Sequence, residues 1–235
     1  MGFVSESRLS DSPYLEKVMH GYSEGTGSTI RPSEIHWHMV FSKHEGHVLP
    51  IVVGPLTSSG IVPFTDGIEL LWVQFRLGTF MPHMPTRDRL DSETILPVAA
   101  GKSFWLKSSA WEVPTYENVE IFIERLVHND VLAFDPVVAA ALQGHPQDVP
   151  SRTLRHRFLR ATGLTQKHIH QVERARQAVA LLEQGVSILD TVYEAGYFDQ
   201  PHLTRALKQW IGHTPAQIIR MNEPDPDACQ EATPT

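Results

Sequence analysis

The chain has 235 residues, an apolar fraction of 41% and a formal net charge of −7, enough length for one large domain or two ordinary ones and enough apolar content for a real core. Its longest apolar runs, such as "ELLWVQF", fall far short of the roughly 20 residues that span a bilayer, and its first residues lack a basic segment leading into an apolar one, so neither a membrane nor a secretory protein is expected. A single cysteine, Cys229, excludes an internal disulfide and a multi-cysteine metal framework; a reducing, cytoplasmic setting is expected.

The charge is uneven along the chain. Residues 1–134 carry ten Lys and Arg against sixteen Asp and Glu (−6), residues 135–220 ten against seven (+3), and the remainder −4. A phosphate-binding surface needs only a local basic face, so the positive segment is compatible with nucleic acid despite the acidic whole.

In chain order, the first 33 residues mix Ser, Gly and charge without a sustained period and are expected to be only partly ordered, with "YLEKVM" a short helix or a strand arm. From Ile35 the pattern alternates, with Ile35, Trp37, Met39 and Phe41 on one side and His36, His38 and Val40 on the other, which predicts a strand. Further apolar runs at short spacing extend an antiparallel β region over residues 35–80. The proline-rich stretch from Thr79 to Pro114 is expected to wrap the sheet irregularly. Within it "FMPHMPTRDRLDSE" reads as a ligand lid, a dimer contact or a structural loop.

The period then changes. Val119, Phe122, Ile123, Leu126 and Val127 follow the i, i+3, i+4, i+7, i+8 spacing of an amphipathic helix. "DPVVAAALQG" starts with Asp as N-cap and Pro at the first helical position and ends at Gly144. "SRTLRHRFLRATG" carries Leu154 and Phe158 on one face. A long helix follows with Ile169, Val172, Val179 and Leu182 inward, ended by Gly185.

The stretch 188–220, "ILDTVYEAGYFDQPHLTRALKQWIGHTPAQIIR", is the most informative. Ile188, Leu189 and Val192 predict one apolar stripe, Gly196 a sharp turn, and Asp199 the cap of a new helix that tolerates Pro201 in its first turn. Leu203, Ala206, Leu207 and Trp210 form its buried stripe, so Gln200, His202, Thr204, Arg205 and Lys208 face away from the core. That is the geometry of a recognition helix: Arg205 suits guanine O6 and N7, and Gln200 suits adenine N6 and N7.

Residues 135–220 resemble the DNA-binding domain of the AraC/XylS family of bacterial transcription regulators. "AGYFDQPHLTRALKQWIGHTPAQ" is similar to the family's second helix-turn-helix signature and "SRTLRHRFLRATGL" to its first recognition helix. The resemblance implies DNA contact by Gln200, His202, Thr204 and Arg205, and in the first unit by Arg152, Arg155 and His156; Lys208, on the same outward face of its helix, is expected to bind DNA without regard to sequence. It also implies a linker helix at about 168–184 holding two units in successive major grooves about 34 Å apart. Only "HPQDVP" separates Gly144 from Ser151, where the family has an additional short helix, so the first unit looks cut down. Either "DPVVAAAL" serves as its supporting helix across a longer turn, or the unit touches only the backbone. Arg157 and Arg160 read equally as phosphate clamps or as the solvated side of their helix.

The expected fold is therefore α+β: an N-terminal antiparallel, cupin-like β domain (1–130) that binds an effector or dimerises, an all-α domain (135–220) with tandem helix-turn-helix units, the first truncated, and a disordered acidic tail (221–235). The cupin-like assignment follows from the resemblance alone. The expected partners are double-stranded DNA, a small-molecule effector, a second copy of the chain and RNA polymerase, with no membrane and no cofactor. Trp37, Trp72, Phe75, Trp105 and Trp111 either line a pocket for an apolar effector or fill the core. No Gly-x-Ser-x-Gly, phosphate-cradling Gly-rich loop or cysteine nucleophile is present, so no enzymatic activity is expected. The alternative is a metal-dependent cupin-type enzyme or sensor using the His36 and His38 pair, with His44, His47 and His83 nearby in sequence.

Overall fold

In the computed structural model, which describes residues 2–145 and 147–222, the chain divides into two compact units, 1–169 and 170–235. The first begins with β1 (Gly2–Leu9), β2 (Leu15–Glu24), β3 (Gly27–Arg31), β4 (His38–His44), β5 (His47–Val53), β6 (Gly60–Phe64), β7 (Glu69–Phe75) and β8 (Thr79–Phe80). A 3-10 turn (Thr86–Arg89), β9 (Glu93–Ile95), β10 (Ser103–Leu106), β11 (Ser109–Glu112), α1 (Val119–His128), β12 (Ala133–Phe134), α2 (Pro136–Leu142) and α3 (Ser151–Thr162) complete it. Six strands make one antiparallel sheet in the order β1-β2-β7-β4-β5-β9, and β3 pairs with β6 in a separate ribbon. A β-rich N-terminal region followed by helices is the expected order of classes.

Alternation along the central strands gives the sheet two faces. Val18, Met39, Phe41, Val52, Val73 and Phe75 point into the main core, which Phe104, Trp111 and the buried stripe of α1, Val119, Phe122, Ile123 and Leu126, close. Trp37 stacks on Phe75 at 3.7 Å between ring centroids and donates its indole N–H to the Thr79 carbonyl at 2.7 Å. Residues one position along, Met19, Val40, Ile51, Val53, Leu70 and Trp72, turn to the opposite face. There, with Ile30, Arg31, Val62 and Phe64 of the β3–β6 ribbon, they line a cavity of about 660 Å³. The aromatic set thus divides: Trp37, Phe75 and Trp111 are core, Trp105 is exposed, and Trp72 lines the cavity.

Two expectations for this region need correction. The first 33 residues are not partly ordered: they hold three strands, and β1 pairs with β2 over its whole length, from Gly2 opposite Glu24 to Leu9 opposite Lys17. β1 is exposed on both faces except near its ends, so no period of two is written into it, and its conformation comes from the partner strand. Arg8 fixes it to α1 by a forked bond to Glu120, which holds that carboxyl down at about 2. The second correction concerns 79–114, which is less irregular than its prolines suggest: it contributes the edge strand β9 and the β10–β11 hairpin.

The second unit is helical, with α4 (Gln166–Glu183) crossing into it, then α5 (Ile188–Glu194), α6 (Gln200–Trp210) and α7 (Pro215–Asn222). Its core is Val172, Ala175, Ala178 and Leu182 of α4 with Val192, Leu203, Leu207, Trp210 and Ile218. Val179, expected inward, is half-buried because Ala175 and Ala178 hold the centre of that face. No helix among the described residues is long and apolar enough to cross a membrane. Of the tail expected to be disordered, Met221 and Asn222 instead close α7; residues 223–235, with Cys229, lie outside the described residues.

Candidate nucleic-acid interface

Local chemistry specifies the turn between α5 and α6 almost completely. Ser187 caps α5, its hydroxyl accepting from the Asp190 amide. At the other end Gly196 takes φ +68°, which glycine alone adopts at no steric cost, so that its amide reaches the Tyr193 carbonyl at 3.1 Å while the Tyr197 amide reaches Val192 at 2.8 Å. This paired closure is a Schellman motif, and its apolar contact is supplied by Val192 and Tyr197, both buried. Burial pushes the Tyr197 phenol up in pKa, while the Arg174 guanidinium over its ring, 4.3 Å from the centroid, opposes the shift.

Asp199 then starts α6. Its carboxylate accepts from the His202 amide at 2.7 Å, and Pro201 occupies a first-turn position whose amide has no intrahelical acceptor. Leu203 and Leu207 are wholly buried, with Ala206 and Trp210 beside them. The remaining face is fixed by that stripe: Gln200, Arg205 and Lys208 are exposed, while His202 and Thr204 are half-buried. The His202 ring stands edge-on to Tyr197 at 5.2 Å, so one side of it belongs to the unit's own packing.

The Gly-His-Thr-Pro run after α6 is a second cap. Gly212 has φ +91°, and Thr214 and Gln217 form a reciprocal capping box: the Thr214 hydroxyl accepts from the Gln217 amide, and Gln217 Oε1 accepts from the Thr214 amide at 2.8 Å. Pro215 opens α7. On α5 the expected stripe is off by one residue. Leu189 is exposed, and the inward positions are Thr191, Val192 and Ala195, with Ile188 half-buried.

The first helical pair is built differently. Asp135 caps α2 by accepting from the Val137 and Val138 amides, and α2 packs on α3. Arg152, Arg155 and His156 of α3 are exposed. Arg157 and Arg160 turn to their own chain: Arg157 Nε donates to Asp135 at 2.8 Å, which raises the arginine pKa, and the Arg160 guanidinium lies 4.9 Å from the centroid of Phe80. At the end of α3, Gly163 adopts φ +73° against the 3-10 turn, where an added Cβ would come within 3.0 Å of the Arg87 amide. "FMPHMPTRDRLDSE" is therefore the seat of α3. The Asp135–Arg157 pair joins residues 22 positions apart, and no local signal announces it.

The histidines gather no metal set. His36 lies before β4, with Nδ1 at 2.7 Å from Glu34 and 2.8 Å from the Gln74 amide, while His38 is buried beside Trp72. His44 and His47 face each other across the β4–β5 turn, and His83 is held down in pKa by burial and by Lys107. Among the described residues no group of three or more His, Cys, Asp or Glu side chains is arranged to hold an ion.

Comparison with known proteins bears on the helical region. A family described as a helix-turn-helix domain matches residues 148–221, from the segment before α3 into the last turn of α7. No curated protein matches the chain. Among solved structures, ToxT from Vibrio cholerae is similar at 10% identity with a TM-score of 0.39, over 94% of this chain and 99% of that one. The C-terminal region of this chain is an AraC-type helix-turn-helix domain.

Proposed function

We propose that the protein is a sequence-specific, DNA-binding transcriptional regulator of the AraC type. The observation that carries this is the division of α6 into two faces: Leu203, Leu207 and Trp210 are sunk into the unit while Gln200 and Arg205 stand exposed near the end of the helix that meets base edges. Gln200, His202, Thr204 and Arg205 read bases, and Lys208 takes a phosphate. Arg152, Arg155 and His156 of α3 provide the second contact.

Residues 1–130 control this activity and 135–220 execute it. The cavity behind the β3–β6 ribbon, within the size range of small-molecule sites and lined chiefly by apolar side chains, takes a small apolar effector. The protein acts as a homodimer in the cytoplasm, with RNA polymerase as the onward partner. Titration of the purified chain against its own promoter duplex tests the reading. Specific binding should survive random competitor DNA and weaken steeply as salt rises. Equal affinity for promoter and competitor at every salt concentration would refute it.

A further inference from the structure

Among the described residues no large apolar side chain is more exposed than Phe198, at 91%. Its neighbour Tyr197 already supplies the aromatic that the turn needs, buried between Arg174 and His202. An apolar residue just before a helix N-cap commonly packs on the fourth helical residue as a staple, here Leu203. Leu203 is fully buried without it, and Phe198 stays out.

The backbone accounts for this direction. Asp199 is extended, at φ −154° and ψ 170°, so side chains alternate through it. Asp199 turns inward to cap the His202 amide, and Phe198 and Gln200 leave on the other side. The ring therefore accompanies the first polar residue of α6. A phenyl group has no donor or acceptor, and the one apolar feature that a base presents in the major groove is the thymine C5 methyl.

We infer that Phe198 is a specificity-determining residue, packing on a thymine methyl in the base pair adjacent to the one that Gln200 reads. The inference rests on the DNA-binding reading above. It adds an apolar determinant, in the turn just before α6, to a helix whose own readers are polar.

The test starts from a duplex selected out of a random pool by the full-length protein. Each thymine of that site is replaced in turn by deoxyuridine, which removes the methyl and nothing else, and wild type, Phe198→Ala and Phe198→Leu are titrated on the set. Wild type should lose about four-fold at one thymine, the worth of one buried methyl. Phe198→Ala should bind the parent site more weakly by a similar factor and be indifferent to that replacement, with Phe198→Leu between them and all three melting alike. Phe198→Ala binding the parent site as tightly as wild type, or responding to every deoxyuridine as wild type does, overturns the inference and leaves the regulator reading standing. A wild-type chain that enriches no sequence from the pool removes that reading and the inference together.

Discussion

The two helical pairs, α2–α3 and α5–α6, use the same opening device and differ in what anchors them. Each has an Asp N-cap and a proline in the first turn of one helix, Asp135 with Pro136 and Asp199 with Pro201. In the second pair the connection is five residues long, closed by a Schellman motif and followed by a capping box, and its packing partners lie within residues 170–222. The first pair spends eight residues between its helices, and α3 is seated on Phe80 and the Thr86–Arg89 turn. Arg157 is thereby committed to the chain itself, while Arg160 lies against Phe80 but stays exposed. An arginine-rich helix is thus not necessarily an arginine-rich surface, and the partners of the guanidinium groups decide.

The comparison can be broken most severely from inside the second pair. Leu207→Ala removes a fully buried side chain shared by the α6 stripe and should cost about 2–5 kcal/mol. The prediction is read by thermal melting alongside DNA titration, and an unchanged melting temperature would mean that the stripe does not hold α6 in place.

A smaller effect is expected in the first pair. Asp135→Ala removes the cap of α2, about 1 kcal/mol, and also frees Arg157, whereas Asp135→Asn keeps the cap and loses only the charge pairing. If anchoring by Arg157 orients α3, Asp135→Asn should alter protection of the α3 amides from hydrogen exchange while leaving those of α6 untouched. Identical exchange in both helices would put the anchor elsewhere.

The same contrast explains what the sequence made legible. Most of α6 is legible because its determinants are local: a stripe at helical spacing, an Asp cap, a tolerated proline and a glycine with a capping box on its far side; the half-burial of Thr204 and of His202, whose ring meets Tyr197 across the turn, is not. The exposure of Leu189 is not legible because α5 has only seven residues, too few for the period to distinguish a stripe at 188, 191, 192 and 195 from one through 189. β1 was illegible because both of its faces meet solvent, so its strand state is imposed by β2. The seat of α3 was illegible because Asp135, Phe80 and Thr86 are brought to it by chain topology. The cavity was half-legible: alternation placed Val40 opposite Met39, but nothing local indicates that β3 and β6 cover that face.

The central claim is that the exposed face of α6 reads bases, and Arg205→Ala tests it most directly. Wild type and variant are titrated on the selected site, on its single-base variants and on random duplex at one fixed salt concentration. The account predicts that Arg205→Ala loses about 1–3 kcal/mol of discrimination at one base pair while its affinity for random DNA barely changes. A loss of equal size on every duplex would contradict it, because Arg205 would then be a phosphate contact and α6 would lack its main reader.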